Sequence, residues 1–263
     1  MKKALVIVLA LLMVFAMFAC GQQQQEVQEP ATDKDYVQQK GNLIVGITDF
    51  EPMDYMENGQ WVGFDADMAK EFAKWLGVEV EFIEIDWDNK ELELNNKTID
   101  CVWNGMTLTD GVKAAMETSN PYCNNQQIIV VNKDIAASIT TAEDAKDLKF
   151  AVEAGSAGAE AAEANGYDFT EVDTQSTAVM NVAAGTAEAC IIDSLMAAAM
   201  VGAGTSYPDL MYTVGLTDEE YGVGFRKGSN LAAEINDFFK SYYGSKKTLP
   251  IAEKYGVQAS IIG

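Results

Sequence analysis

Chemistry-bearing residues recur in this sequence just past the ends of apolar runs. The stretch Asp100-Cys101-Val102-Trp103-Asn104-Gly105-Met106-Thr107-Leu108-Thr109 reads as a buried strand that ends in exposed backbone and hydroxyls. Asn104 and Gly105 sit where a small ligand can approach the main chain, and Thr107 and Thr109 offer it hydroxyl partners. The competing account is an ordinary strand-to-helix connection with a threonine cap. Phe50 and Trp87 each follow another strand-like run and lie beside acids; one reading makes them ligand-facing rings, the other packing. Phe150 to Gly158 reads as a strand, a small-residue turn and a helix start, whose free N–H groups suit a carboxylate. It lacks the Gly-Lys-Ser/Thr of a nucleotide loop. Asp193 closes the run Glu188 to Ile192, as a second acid at a strand end or as a helix cap.

What is missing narrows the chemistry. The 263 residues include no histidine and one arginine, Arg226, so imidazole bases, His-based triads and histidine metal sites are excluded. Forty Asp and Glu against 18 Lys and Arg give a net charge of −22, which repels nucleic acid and anionic lipid surfaces alike. Beyond Cys20, three cysteines stand at wide spacing with no CxxC pair or zinc pattern. Cys101 and Cys190 fall in apolar runs and are expected as buried thiols; a Cys101–Cys123 disulfide is the alternative. No acidic loop has calcium-binding spacing, and no metal or organic cofactor is indicated.

The elements that position these residues alternate between strand and helix. Leu43 to Ile47 is a continuous apolar run, as for a strand covered on both faces. Met68, Ala69, Phe72, Ala73 and Leu76 recur at helical spacing, with Asp65 placed to cap and Gly77 to stop. Strands are expected from Val78 to Ile85, Gln126 to Val131, Phe150 onward, Phe169 to Val172, Glu188 to Ile192 and Tyr221 to Phe225. Helices are expected from Gly111 to Glu117, to about Asn165, through Ala184 after a Ser176 cap, and near residues 195–201, 230–243 and 250–255. This pattern is α/β and predicts two lobes: 41–127, then 128–220, with 221–263 returning to the first. Two strand crossings between the lobes make a hinge with a ligand cleft beside it.

The N-terminus carries Lys2 and Lys3 ahead of an apolar run to Ala19, in the order of a secretory signal over residues 1–20. Met17-Phe18-Ala19-Cys20-Gly21 resembles a bacterial lipobox, which makes Cys20 the expected lipidation site and membrane anchor. Residues 21–40, with glutamine at 22–25, read as a flexible polar tether.

Three motifs then carry a resemblance over the chain from about residue 41. Gly63-Phe64-Asp65-Ala66-Asp67-Met68-Ala69, Asn104-Gly105-Met106-Thr107-Leu108-Thr109 and Ser119-Asn120-Pro121-Tyr122 are similar to signatures of the solute-binding proteins of polar amino-acid ABC importers. The resemblance implies a periplasmic-binding-protein fold, a non-catalytic monomer at the cell envelope, and delivery of a small ligand to a permease and its ATPase. It places Phe50 and Trp87 as sandwiching aromatics, and Gly105 and Thr107 as ligand partners. Ser156 and Ala157 become carboxylate-binding N–H groups, and Asp193 the acid that takes an α-ammonium. The arginine expected after the threonine pair is replaced by Val112, with Lys113 one position on. Glu153 stands where relatives often carry Gln or Lys. Both changes make the cleft more anionic and predict a cationic or amine-bearing ligand; an ordinary amino acid held by Lys113 is the alternative. A sensory module, an exported dehydratase of the same fold and a relative that has lost its ligand complete the functions considered.

Overall fold

A computed structural model describes residues 30–262. The signal segment, Cys20 and the first part of the expected tether lie outside them. Helix α1 (Asp33–Lys40) opens the described chain and leads into strand β1 (Asn42–Ile47), the hairpin β2 (Tyr55–Glu57) and β3 (Gln60–Val62), and helix α2 (Phe64–Leu76). Then come β4 (Glu79–Glu84), α3 (Lys90–Asn95), β5 (Cys101–Thr107), α4 (Asp110–Ala115), β6 (Glu117–Thr118) and the long β7 (Cys123–Asn132). After α5 (Lys133–Ala136), the strands β8 (Lys149–Glu153), β9 (Asp168–Val172) and β10 (Ala189–Asp193) alternate with α6 (Ala157–Asn165), α7 (Gln175–Ala184) and α8 (Ser194–Met200). The 16-residue β11 (Leu210–Phe225), α9 (Leu231–Gly244) and α10 (Thr248–Lys254) finish the chain.

The strands form one sheet in the order β4-β1-β5-β11-β7-β10-β8-β9, with β6 on β11. β1 pairs in parallel with β4 and β5, and β8 in parallel with β9 and β10. Each parallel group has its helices on the sheet faces, which is why the inner strands β1, β5, β8 and β10 are largely apolar, while the edge strands β4 and β9 alternate. Between the groups, β7 and β11 pair antiparallel over most of their length. β11 continues onto β5 through Tyr221 to Phe225, so these two strands join the halves of the molecule. The α/β architecture matches the sequence expectation.

Four local expectations are corrected. Asp65 does not cap α2: Gly63, at φ 127°, holds that position with no side-chain cap, and Asp65 is fully buried within the first turn. Helix α7 is capped by Thr174, whose hydroxyl accepts from Thr177 N, and not by Ser176. β11 begins at Leu210, well before Tyr221.

The polar tract to Lys40 does not stay a tether: residues 33–40 form α1, capped by Thr32 and closed by Gly41 at φ 83°. Val37 seals it into the main core, and Arg226 donates from Nε to Asp33 at 3.0 Å. The same guanidinium reaches the carbonyls of Leu94 and Ile99, so the one arginine is a structural clamp. Cys101, Cys123 and Cys190 are free and buried, so the alternative of a Cys101–Cys123 disulfide is not met.

Candidate functional site

The carboxyl ends of β1 and β5 are tied together before any ligand is considered. Asn104 accepts from Thr48 N at 2.9 Å and donates to the Thr48 hydroxyl at 2.7 Å. Gly105 has φ 55°, and its N–H donates to Asp65 Oδ2 at 2.7 Å. A Cβ there would come within 2.4 Å of the Phe50 ring, so the glycine is required by both its backbone angle and its neighbour. Asp65 also accepts from the Tyr122 hydroxyl at 2.6 Å. Burial pushes its carboxyl up to about 7, although these hydrogen bonds pull it down.

A cleft of about 240 Å³ opens between these strand ends and those of the second half. Of the residues singled out by the sequence, Trp87, Asn104, Gly105, Thr107, Glu153, Ser156, Ala157 and Asp193 line it. Phe50 does not. Its ring is 2 % exposed, lies beneath Gly105 and meets Tyr221 edge-on at 6.3 Å, so packing accounts for it. Val112 is on the cleft wall, whereas Lys113 is exposed on the neighbouring surface.

The cation of the cleft is Lys90, which sequence reading passes over. It stands four residues into the charge-rich segment Asp86 to Glu93, with nothing local to mark it. Its ammonium lies 4.9 Å from the Trp87 ring centroid and donates to Trp87 O at 3.2 Å and Gly155 O at 2.9 Å. The second bond crosses the cleft. Burial lowers the Lys90 ammonium, while Glu153 and other acids nearby oppose that shift. Gly155 has φ 65° and would place a Cβ 2.6 Å from Asp88 Oδ1, so backbone from one side touches a side chain from the other. Thr109 and Glu160 add a 3.4 Å contact across the same gap.

The far wall is built on β7, β8, β10 and the start of α7. Asp193 occupies the position before α8 but makes no cap bond. Its Oδ1 instead accepts from Asn125, from Gln127 Nε2 at 3.0 Å and from the Tyr221 hydroxyl at 2.6 Å; its Oδ2 accepts from Gln175. Burial holds the Asp193 carboxyl well above the usual carboxylate range, and the Glu219 charge adds to the effect. Glu153 is 3 % exposed, and its carboxyl is pushed up to about 8 by burial, with Lys90 pulling it back. Glu153 Oε1 and Gln127 Oε1 are buried without a partner on this cleft wall. Ser156 caps α6 through its hydroxyl, which accepts from Ala159 N at 3.2 Å, and the helix start faces the cleft.

This is a pocket between two α/β halves at the carboxyl ends of strands, lined by unsatisfied acceptors. Residues 43–258 match the family model described as bacterial extracellular solute-binding proteins, family 3. The chain belongs to that family. It is 30% identical to the arginine-binding extracellular protein ArtP of Bacillus subtilis (strain 168), over 91% of this chain and 92% of that one. Among solved structures, a mutant of ArgBP from T. maritima is 34% identical with a TM-score of 0.79, covering 85% of this chain and 99% of that chain. An ancestral amino acid-binding protein, a precursor of cyclohexadienyl dehydratase, is 31% identical with a TM-score of 0.78 over 85% and 99% of the respective chains. For this solute-binding protein, no group of three or more potential metal ligands occurs among the described residues. No helix among them is long and apolar enough to cross a membrane.

Proposed function

We propose that this solute-binding protein captures an amino acid carrying an extra amine or guanidinium and delivers it to an ABC permease and its ATPase. The observation that carries the reading is the cleft's surplus of acceptors. Glu153 Oε1 and Gln127 Oε1 are buried and unpaired, Asp193 lines the same cleft, and so do Asp88, Glu91 and Glu160. A buried acceptor without a partner is costly, so the complement is a ligand rich in N–H donors. The one cation on the wall, Lys90, already serves two carbonyls. A ligand carboxylate fits at the start of α6, near Ser156 and Ala157, where N–H groups and the helix dipole favour an anion. The arginine named in the B. subtilis relative has this donor pattern. Recognition works by swinging the halves about β7 and β11, and Cys20 holds the protein at the membrane as a lipid anchor.

A thermal-shift screen of the chain against amino acids, polyamines and small carboxylates tests this. A ligand that binds only the folded state raises the melting temperature by mass action. Arginine, lysine or ornithine should raise it and glutamate should not; a shift with glutamate or aspartate alone would sink the reading.

One observation favours a second reading. Glu153 is buried in the cleft and holds its proton up to about pH 8, as a general acid would. A dehydratase acting on a cyclic dicarboxylate needs cations to hold both carboxylates, and the wall has only Lys90. Turnover of such a substrate, lost in Glu153→Gln, would favour this reading over capture alone.

A further inference from the structure

The wall behind Asp193 holds a second acid that no sequence motif marks. Glu219 lies on β11, and its Oε1 accepts from Asn125 Nδ2 at 2.6 Å and from Gln127 Nε2 at 2.8 Å. The same two nitrogens also donate to Asp193 Oδ1. A primary amide has two N–H bonds, so each amide divides its pair between the two carboxyl groups. Asn125 cannot turn over to escape this arrangement, because its Oδ1 is held by the Ser194 hydroxyl at 2.8 Å. Thr107 donates to Glu219 at 2.9 Å and lines the cleft, and Glu219 itself lines an adjoining hollow that shares Thr107, Thr109, Ala157 and Glu160 with it.

The groups packed around the pair supply no positive charge. β7 contributes Asn125, Gln127 and the Cys123 thiol; β11 contributes Tyr221; α7 contributes Gln175. Glu153 approaches through Gln175 and Glu160 through the shared hollow, and both are acids. Lys90 is engaged at the Trp87–Gly155 side, and Lys113 is exposed on the rim of the hollow. Two ionised carboxylates sharing neutral donors, with no cation beside them, repel, and Asp193, which is closed to solvent while Glu219 is half-buried, feels this most. A proton relieves that repulsion when the cleft is empty, and a ligand cation can do the same when it is full.

We propose that Asp193 and Glu219 form one charge-exchange site, in which the ligand-free pair holds a single proton and an incoming ammonium or guanidinium displaces it to solvent. Glu219 is thereby a specificity-determining residue: a ligand without an ammonium or guanidinium at this point cannot replace the proton, so the site selects for that cation. The exchange rests on the proposed capture of an amine-bearing ligand, whereas the shared proton concerns the empty protein alone. Capture then releases about one proton per ligand near neutral pH, and affinity for the cation falls as the medium becomes more acidic.

Two measurements on the full chain separate these parts. In the ligand-free protein, carbon-13 NMR of the carboxyl carbons is followed against pH in the native chain, Glu219→Gln and Asp193→Asn. The Asp193 carboxyl should titrate well above the usual value of about 4; Asp193→Asn should remove that step and Glu219→Gln should move it down. Ordinary titration of both groups in the native chain overturns the shared proton without need of a variant. Calorimetry with L-arginine is then run at pH 7 in two buffers of different ionisation enthalpy. About one proton should be released per arginine in the native chain and clearly less in Glu219→Gln. Binding with no buffer dependence overturns the exchange. If arginine, lysine and ornithine all fail to bind, the proposed function falls and the exchange with it, and the NMR titration still decides the shared proton.

Discussion

Lys90 shows how a single side chain can set the state of the cleft. Its ammonium bridges Trp87 O and Gly155 O, which belong to opposite sides, and the Trp87 ring face is taken up by it. Lys90→Met keeps the stem and removes the bridge. Small-angle scattering of the ligand-free protein should then show a radius of gyration about 1 Å larger, against the ~18 Å expected of a compact chain this long. Unchanged scattering would mean the bridge does not hold the halves together. Lys90, Asn125, Gln127 and Glu219 were not legible in the sequence. Lys90, Asn125 and Glu219 belong to polar or acidic runs that a solvated surface explains equally well. Gln127 lies near the start of an expected strand without showing which way it faces, and only the pairing of β7 with β11 turns Asn125 and Gln127 inward. The glycine and threonine motif was legible because backbone angle and strand end restrict residue type locally. Phe50 was misplaced since a ring after a strand can face the ligand or slide under the next strand; Gly105 leaves the space that decides between them.

At the level of elements, α/β alternation was readable because buried parallel strands need continuous apolar runs and their helices need a stripe, as Met68, Phe72 and Leu76 provide. The parts not readable were those set by long-range contacts. Asp218, Glu219 and Glu220 hide the middle of β11, and α1 is helical because Arg226, nearly two hundred positions away, grips Asp33. The turn from β8 into α6 makes a sharper demand. Gly155→Ala adds a methyl group at φ 65° and within 2.6 Å of Asp88. The left-handed conformation alone costs about 1–2 kcal/mol. The clash adds to this only when the halves meet, so ligand affinity by calorimetry should fall roughly tenfold or more, beyond any loss of ligand-free stability. Equal losses in both measurements would place the strain within the turn alone.

Taken whole, the molecule stores several protons that its unfolded chain would give up. Glu153 is held up to about 8 and Asp65 to about 7, while Asp54 and Asp193 are raised by burial and neighbouring acids. A raised carboxyl stabilises the fold fully below its unfolded value, near pH 4, and that contribution is lost as pH rises through its folded value. Repulsion within a net charge of −22 acts in the same direction. The melting temperature should therefore fall steadily from pH 5 to pH 8, by several degrees, and Glu153→Gln should flatten part of that slope. A melting temperature that rises over this interval would show that these acids are ionised in the fold. The three sealed thiols provide a clock for local opening of the fold. Cys101 lies on β5, Cys190 on β10 and Cys123 where β7 begins, all with side chains closed to solvent. A thiol reagent reads how often each of these places opens, so the order in which the three sulfurs react records which half of the molecule lets go first.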